Sequence, residues 1–409
     1  MNIGIHFLTT LSHIAARSPL FFRLPKVRSN LYWVLIIGVA LTSCTIDVSQ
    51  SSEVGPVSGT ATPFLVAPSP TLPPGVTPVE TPPAAISTSI PVTWSALNLT
   101  GSLIYISPPV AGKAAFFNSI RRLDLLTGEI RTLFTTAGND WIYYVSVSPD
   151  AEQLIMSYLP IPESGTLPNR ALYQIPLDGT TPPQLLFSPP TSDDHYIHVE
   201  WSPDGKFIYY SHLNYNVRLP NGVDPVYDIF RMSYPEGQTE KIADYAFWPR
   251  LSSDSTRLVY VAINPDTAKN ELYVANADGS NPQQIVLSGA TPPDIIDAPI
   301  FSPDGSSVIF SAPPPVQAYQ PNWFDKLMGI RIVKAHEIPS DWWSVPVTGG
   351  TPTQLTQLQT IRLFASLSPD KRHVASLGGE GIFVMDETGS NLTQLLLEPG
   401  VSGTVSWIP

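Results

Sequence analysis

The stretch VEWSPDGKFIYYS, Val199 to Ser211, decides the fold. It places a tight turn between two apolar runs. Pro presets φ at the second turn position, Asp tolerates the third, and Gly205 supplies a left-handed fourth. The pattern recurs as VSVSPDAEQLIMS from Val145, PRLSSDSTRLVYV from Pro249, PIFSPDGSSVIFS from Pro299 and ASLSPDKRHVASL from Ala365. The turn serines Ser148, Ser202, Ser252, Ser302 and Ser368 stand roughly 54, 50, 50 and 66 residues apart, the period of propeller blades.

A second set of turns is marked by Gly128, Gly179, Gly237, Gly279, Gly349 and Gly389. Six second turns against five first turns is informative. The first unit, SLIYIS…IRRLDLLTGEIRTLF, lacks an inner strand, and the C-terminal GTVSWIP aligns with HVEWSP through Trp407 on Trp201. The last strand is therefore expected to complete the first blade, since closing a ring removes exposed sheet edges. Residues 97–409 read as an all-β, six-bladed propeller, with seven blades the structural alternative.

The chain carries 22 Lys+Arg against 34 Asp+Glu and one Cys. Its first 43 residues hold only the bases Arg17, Arg23, Lys26 and Arg28. The remainder is strongly acidic, which opposes nucleic-acid binding, because that affinity rests on Lys and Arg neutralising phosphates. After Arg28 come the apolar run Leu31 to Thr42 and the tetrapeptide Leu41-Thr42-Ser43-Cys44. A basic flank, a short apolar run and small residues make a secretory signal. LTSC resembles a bacterial lipobox, so residues 1–43 are expected to be a lipoprotein signal and Cys44 the lipidated first residue. The long segment before Arg28 suggests a true start near Val27. Residues 44–96, rich in Pro, Thr and Ser, read as a disordered tether. The chain is thus expected to be extracytoplasmic and anchored to the cell membrane or envelope by its lipid.

WSPDG at Trp201–Gly205 and FSPDG at Phe301–Gly305 resemble the WD-repeat-like (PD40-type) motif of the TolB carboxy-terminal domain, the tricorn protease and the dipeptidyl-peptidase propellers. The resemblance covers about residues 97–409 and implies the fold. Where TolB carries an α/β domain this chain has the tether, and the peptidases' hydrolase domain has no counterpart. Neither TolB partnering nor peptidase activity carries over.

The alternation of strands puts both kinds of turn on one face. The long insertions go to the other: SPPVAGKAAFFNS, LPIPESGTLPNR, HLNYNVRLPNGVDPVYD and the segment from Ala312 to Asp341. Loops on a rigid scaffold carry function more often than the scaffold does. Asp193, Asp194, His195, His198, His212 and Asn214 form the best polar cluster, read as a satisfied polar loop or a weak metal site. His195 and His198 should point to opposite strand faces. Trp141, Tyr143, Tyr245, Trp248 and Asp297 fall near the starts of inner strands, either stacking on a ligand at a channel mouth or packing between blades. In the long insertion, Trp323, Phe324, Leu327 and Met328 have helical spacing, with Asn322 as a cap and Trp342 and Trp343 following. They read as a buried rim helix or an exposed apolar patch.

No nucleophile elbow, phosphate loop or mature free thiol is present, and no cofactor is implied. The expected function is a binding or scaffold module for a protein, peptide or glycan through the insertion-bearing face. The alternative is a secreted glycan-degrading or hydrolytic enzyme with a metal in the His/Asp loops. A passive envelope scaffold is a third reading.

Overall fold

A computed structural model describes residues 87–108, 119–136, 140–160, 169–219, 226–314 and 338–409. Cys44, the rest of the expected signal and most of the expected tether, and the segment carrying Asn322, Trp323, Phe324, Leu327 and Met328, lie outside the described residues.

The Ser-Pro-Asp turns are closed by the same side-chain bonds five times. Each turn serine donates its hydroxyl to the aspartate two residues on, at 2.5–2.7 Å. The same oxygen accepts the backbone N–H five residues on, at 2.9–3.0 Å. The aspartate also takes the N–H two residues beyond itself. The fourth turn position is left-handed in every copy, at Ala151, Gly205, Ser255, Gly305 and Lys371. Serine and aspartate thus satisfy donors that the reversing backbone leaves over.

These turns pair the strands into six sheets. Blade I holds β1 (Ser87–Ser89), β2 (Ser102–Ser107), β3 (Ser119–Asp124) and β4 (Glu129–Thr135). Blade II is β5 (Trp141–Val147), β6 (Gln153–Leu159), β7 (Ala171–Pro176) and β8 (Gln184–Phe187). Blade III is β9 (Asp194–Trp201), β10 (Phe207–Asn214), β11 (Val226–Ser233) and β12 (Thr239–Ala243). Blade IV is β13 (Ala246–Leu251), β14 (Arg257–Ile263), β15 (Asn270–Asn276) and β16 (Gln283–Ile285). Blade V is β17 (Asp297–Phe301), β18 (Ser307–Ala312), β19 (Asp341–Pro346) and β20 (Thr353–Gln354). Blade VI is β21 (Phe364–Leu367), β22 (His373–Gly378), β23 (Gly381–Asp386) and β24 (Thr393–Leu397).

The final strand, β25 (Ser402–Ile408), is the inner strand of blade I, whose order is β1-β4-β3-β2-β25. Leu103 pairs with Trp407 and Ile104 with Ser406, antiparallel. The C-terminus therefore closes the ring on six blades, as the turn census requires. The inner strands β25, β5, β9, β13, β17 and β21 touch in succession and back to the first.

The sequence places the end of the tether at residue 96, whereas the structure joins the chain to blade I at Ser87. The register Ser87↔Arg131 to Ser89↔Glu129 adds β1 as a fifth, outermost strand. Trp94 is 2% exposed, packs beside Leu125 and Ile130, and donates its indole N–H to the Leu125 carbonyl at 2.8 Å. Three exposed Ser/Thr residues held by backbone pairing carry no apolar period, so the sequence pattern does not reveal them.

Each blade buries both faces, so middle strands show runs of buried side chains rather than an in–out alternation. In β10, Ile208 and Tyr210 pack toward blade II, while Tyr209 packs toward blade IV. In β19, Trp342 and Trp343 turn to opposite neighbours. Six apolar clusters fill the six blade interfaces, including the closing one between blades I and VI. A buried Leu, Ile or Phe side chain contributes on the order of 1.5–3 kcal/mol relative to exposure, so these interfaces dominate the energetics.

The axis is filled rather than open. Tyr144, His198, Trp248, Ala298 and Phe364 each stand four residues before their turn serine, and Thr404 is the blade I equivalent. The Tyr144 and Trp248 rings meet at 5.3 Å, Trp248 and Phe364 at 5.2 Å, and Tyr144 and Phe364 at 6.3 Å. These residues belong to blades II, IV and VI, which are not neighbours, so only the axis can bring them together. His198 stacks on Trp248 at 3.7 Å. Bulges in β9, β13 and β17, at His198, Trp248 and Ala298 with φ of 50°, 59° and 43°, aim these positions inward. Nearer the turns a second layer crosses the axis. Arg250 pairs with Glu200 at 2.6 Å and donates to the Ala365 carbonyl at 2.7 Å.

The turn carboxylates make stability sensitive to acid. Bonds from the Ser252 hydroxyl, and then from Thr256, hold Asp254 at about 2, below its ordinary 3.8. A depressed folded-state value contributes stability above the unfolded value, and this is lost as pH falls through the folded one. Urea midpoints between about pH 4 and pH 2 should therefore fall more steeply for the natural chain than for Asp254→Asn, with the two curves converging toward acid. Parallel curves would contradict this role for the turn.

Candidate functional site

The insertions leave the strands at the end opposite the turns, between β2 and β3, β6 and β7, β10 and β11, and β18 and β19. On that face, where blades II and III meet, the described residues bring together Trp141, Tyr143, Arg170, His195 and Tyr215. Arg170 ends the β6–β7 connection and is fixed by its backbone: its N–H donates to His195 Nδ1 at 3.0 Å, and its carbonyl accepts the Tyr196 N–H at 2.9 Å. Its guanidinium lies over the Tyr143 ring, 4.0 Å from the centroid. Trp141 leans on Tyr143 at 5.6 Å, and Tyr215, 48% exposed, meets the His195 ring edge-on at 5.3 Å.

The electrostatics of this patch are unusual within the molecule. Every other described arginine has a partner: Glu398 for Arg121, Glu240 for Arg231, Glu200 for Arg250, the Gly305 carbonyl for Arg257, and comparable contacts for the rest. Among the described residues no carboxylate lies within ion-pair distance of the Arg170 guanidinium, and no hydrogen-bond partner meets its buried Nε. The Tyr143 hydroxyl is likewise buried without one. Burial raises the Tyr143 pKa while the Arg170 charge opposes the rise. Burial, helped by Arg170, pushes His195 down to about 4. His195 is therefore neutral at physiological pH. With Nδ1 accepting the Arg170 N–H, its proton sits on Nε2, free to donate outward.

The remaining sequence candidates separate. Asp194 is 3% exposed, and its Oδ1 accepts both His212 Nε2 and Asn214 Nδ2 at 2.8 Å while Oδ2 takes the Thr191 hydroxyl at 2.6 Å. Asp193 accepts Asn216. The Asp194–His212–Asn214 group is thus a satisfied polar network, and among the described residues no three His, Cys, Asp or Glu side chains converge as a metal site. His198 is not part of it: the bulge turns it into the axial plug. Trp248, 2% exposed, is the centre of that plug rather than a wall of an open mouth. Asp297 is 2% exposed at the start of β17, with Oδ1 accepting the Ala298 N–H. Tyr245 lies at the β12–β13 connection with its N–H on Asp228, in a groove with Ile242, Tyr260 and Glu271, away from the axis.

Arg170 escapes the sequence reading because nothing in its neighbours, PNRALY, separates it from a loop-end arginine. Its signal is the lack of a carboxylate or carbonyl partner among the described residues, combined with its place over Tyr143, which only the fold exposes. On the turn face, a cleft of about 340 Å³ between blades III and IV is lined by Asp204, Arg231 and Asp278. These charges are already taken by Ser202, Glu240 and Ser280.

No family model and no curated protein matches the sequence. Among solved structures, TolB from Acinetobacter baumannii is similar, with a TM-score of 0.53 at 15% identity, over 76% of this chain and 67% of that one. A putative TolB from Agrobacterium tumefaciens gives 0.47 at 16% identity over 76% of this chain and 99% of that one. A chain of the nidogen/laminin complex gives 0.49 at 10% identity, over 75% and 98%. At such identities the likeness concerns the fold alone. The likeness to the Acinetobacter TolB agrees with the turn motif and the strand order: the chain has the six-bladed β-propeller fold that TolB also carries.

Proposed function

We propose that this chain is an extracytoplasmic binding module, held to the membrane by a lipid on Cys44, that takes a protein, peptide or glycan on the insertion-bearing face of its propeller. One observation carries the reading. The axis is filled, the charges of the turn-face cleft between blades III and IV are internally paired, and the insertion face presents Arg170, a partly buried guanidinium with no carboxylate within ion-pair distance among the described residues. A buried cation without a counter-ion costs free energy that a ligand can repay. The basic flank, apolar run and LTSC support the anchor, and acyl chains contribute about 0.8 kcal/mol per buried CH₂. A metal-dependent hydrolase is less well supported, because the oxygens of Asp194 already hold His212, Asn214 and Thr191.

Two experiments test this proposal. Cells fed an azido-palmitate analogue should label the natural chain and not Cys44→Ala, which should leave the membrane fraction; equal labelling would refute the anchor. A photo-crosslinking residue placed at Tyr215 in the full-length chain, in its own envelope, should capture a partner or glycan. The same residue at Asp204 on the turn face should capture none, and capture from Asp204 alone would refute the binding face.

A further inference from the structure

We infer that the insertion face binds the carboxylate of an acidic sugar, with Arg170 as the carboxylate-binding residue and His195 and Tyr215 completing the subsite. The inference rests on the binding-module reading and names its ligand class. Arg170 offers a planar fork of donors matched to a carboxylate. His195 Nε2–H is a second, neutral donor fixed by the Arg170 backbone. The exposed ring of Tyr215, against His195, is a flat apolar wall of the kind on which sugar C–H faces stack.

The charge favours a monoanion. Among the described residues Arg170 is the only Lys or Arg whose charge acts on Tyr143 and Tyr227. Asp297 acts on Tyr144 and Tyr227 from the buried side. One cation, with Asp194 and Asp193 acting on His195 and Asp297 on Tyr227, suits a carboxylate ligand better than a phosphate carrying close to two charges. The backbone favours a sugar over an extended peptide. Strand addition needs free N–H and C=O groups. Here the Arg170 N–H, its carbonyl and the Tyr215 N–H are taken by His195, Tyr196 and Asp193. The subsite therefore recognises its ligand through side chains.

Titration calorimetry of the full-length chain in detergent micelles tests this, with trisaccharides of mannuronate, galacturonate and glucuronate, their carboxyl-reduced forms, and a hexaglutamate peptide. At least one uronate should bind. Carboxyl reduction or Arg170→Gln should weaken it about 10- to 100-fold, Arg170→Lys should weaken it less, and Tyr215→Ala several-fold, with no fall in the melting temperature of any variant. Uronate binding indifferent to carboxyl reduction or to Arg170→Gln would overturn the assignment, as would Arg170-dependent binding of hexaglutamate without any uronate. Absence of all binding would overturn it too. In that case crosslinks from Tyr215 would show whether only the ligand class or the binding face itself is wrong.

Discussion

Ring closure is the constraint on which the rest of this structure depends. Every blade buries both faces, so a blade without a neighbour on either side would expose an apolar sheet. The chain resolves this by giving its last strand to its first blade. The joint is held by the β2–β25 ladder, by the Trp407 indole on the Thr100 carbonyl, and by the Trp407 backbone N–H on Ser366 of blade VI. The Thr404 hydroxyl meets both backbone groups of Val145 in blade II. Blade I is therefore tied to both neighbours by residues of one C-terminal strand.

Closure also determines where chemistry can sit. With six inner strands around the axis, side chains four residues before each turn serine meet in the middle. Here they are Tyr, His, Trp, Ala, Phe and Thr, which fill the space. A propeller with small residues at these positions would have a lumen. This one has a plug, backed by the Glu200–Arg250 pair, whose charges are mutually satisfied. Burial raises the Glu200 pKa while Arg250 opposes the rise, as expected of a paired buried carboxylate. Ligand contact is thereby left to the faces, and the insertion face presents the Arg170 guanidinium, which has no carboxylate within ion-pair distance among the described residues.

Most of the architecture was legible in the chain because propeller turns are a local code. Ser and Asp two apart, with a left-handed residue next, dictate the reversal without help from the rest of the fold. The count of such turns against the glycine turns gave the ring closure, and Trp407 on Trp201 gave its register. What escaped depends on distant geometry. Strand β1 is held by backbone pairing and has no apolar signature. Trp248 read as a mouth or inter-blade residue and His198 as part of a polar loop because side-chain parity along β9 and β13 breaks at bulges that the sequence does not mark. Arg170 stands out only by what surrounds its guanidinium, and that requires the positions of residues distant in sequence.

The most direct test of the account is equilibrium urea unfolding of the full-length chain against a chain ending at Val401, which removes β25. If the last strand closes the ring, the truncated chain loses its cooperative transition or unfolds at a much lower midpoint, and its tryptophan emission moves toward that of exposed indole as Trp94 and the blade I–VI core open. An unchanged cooperative transition at the same midpoint would contradict the closure, and with it the assignment of faces, plug and site that follows from it.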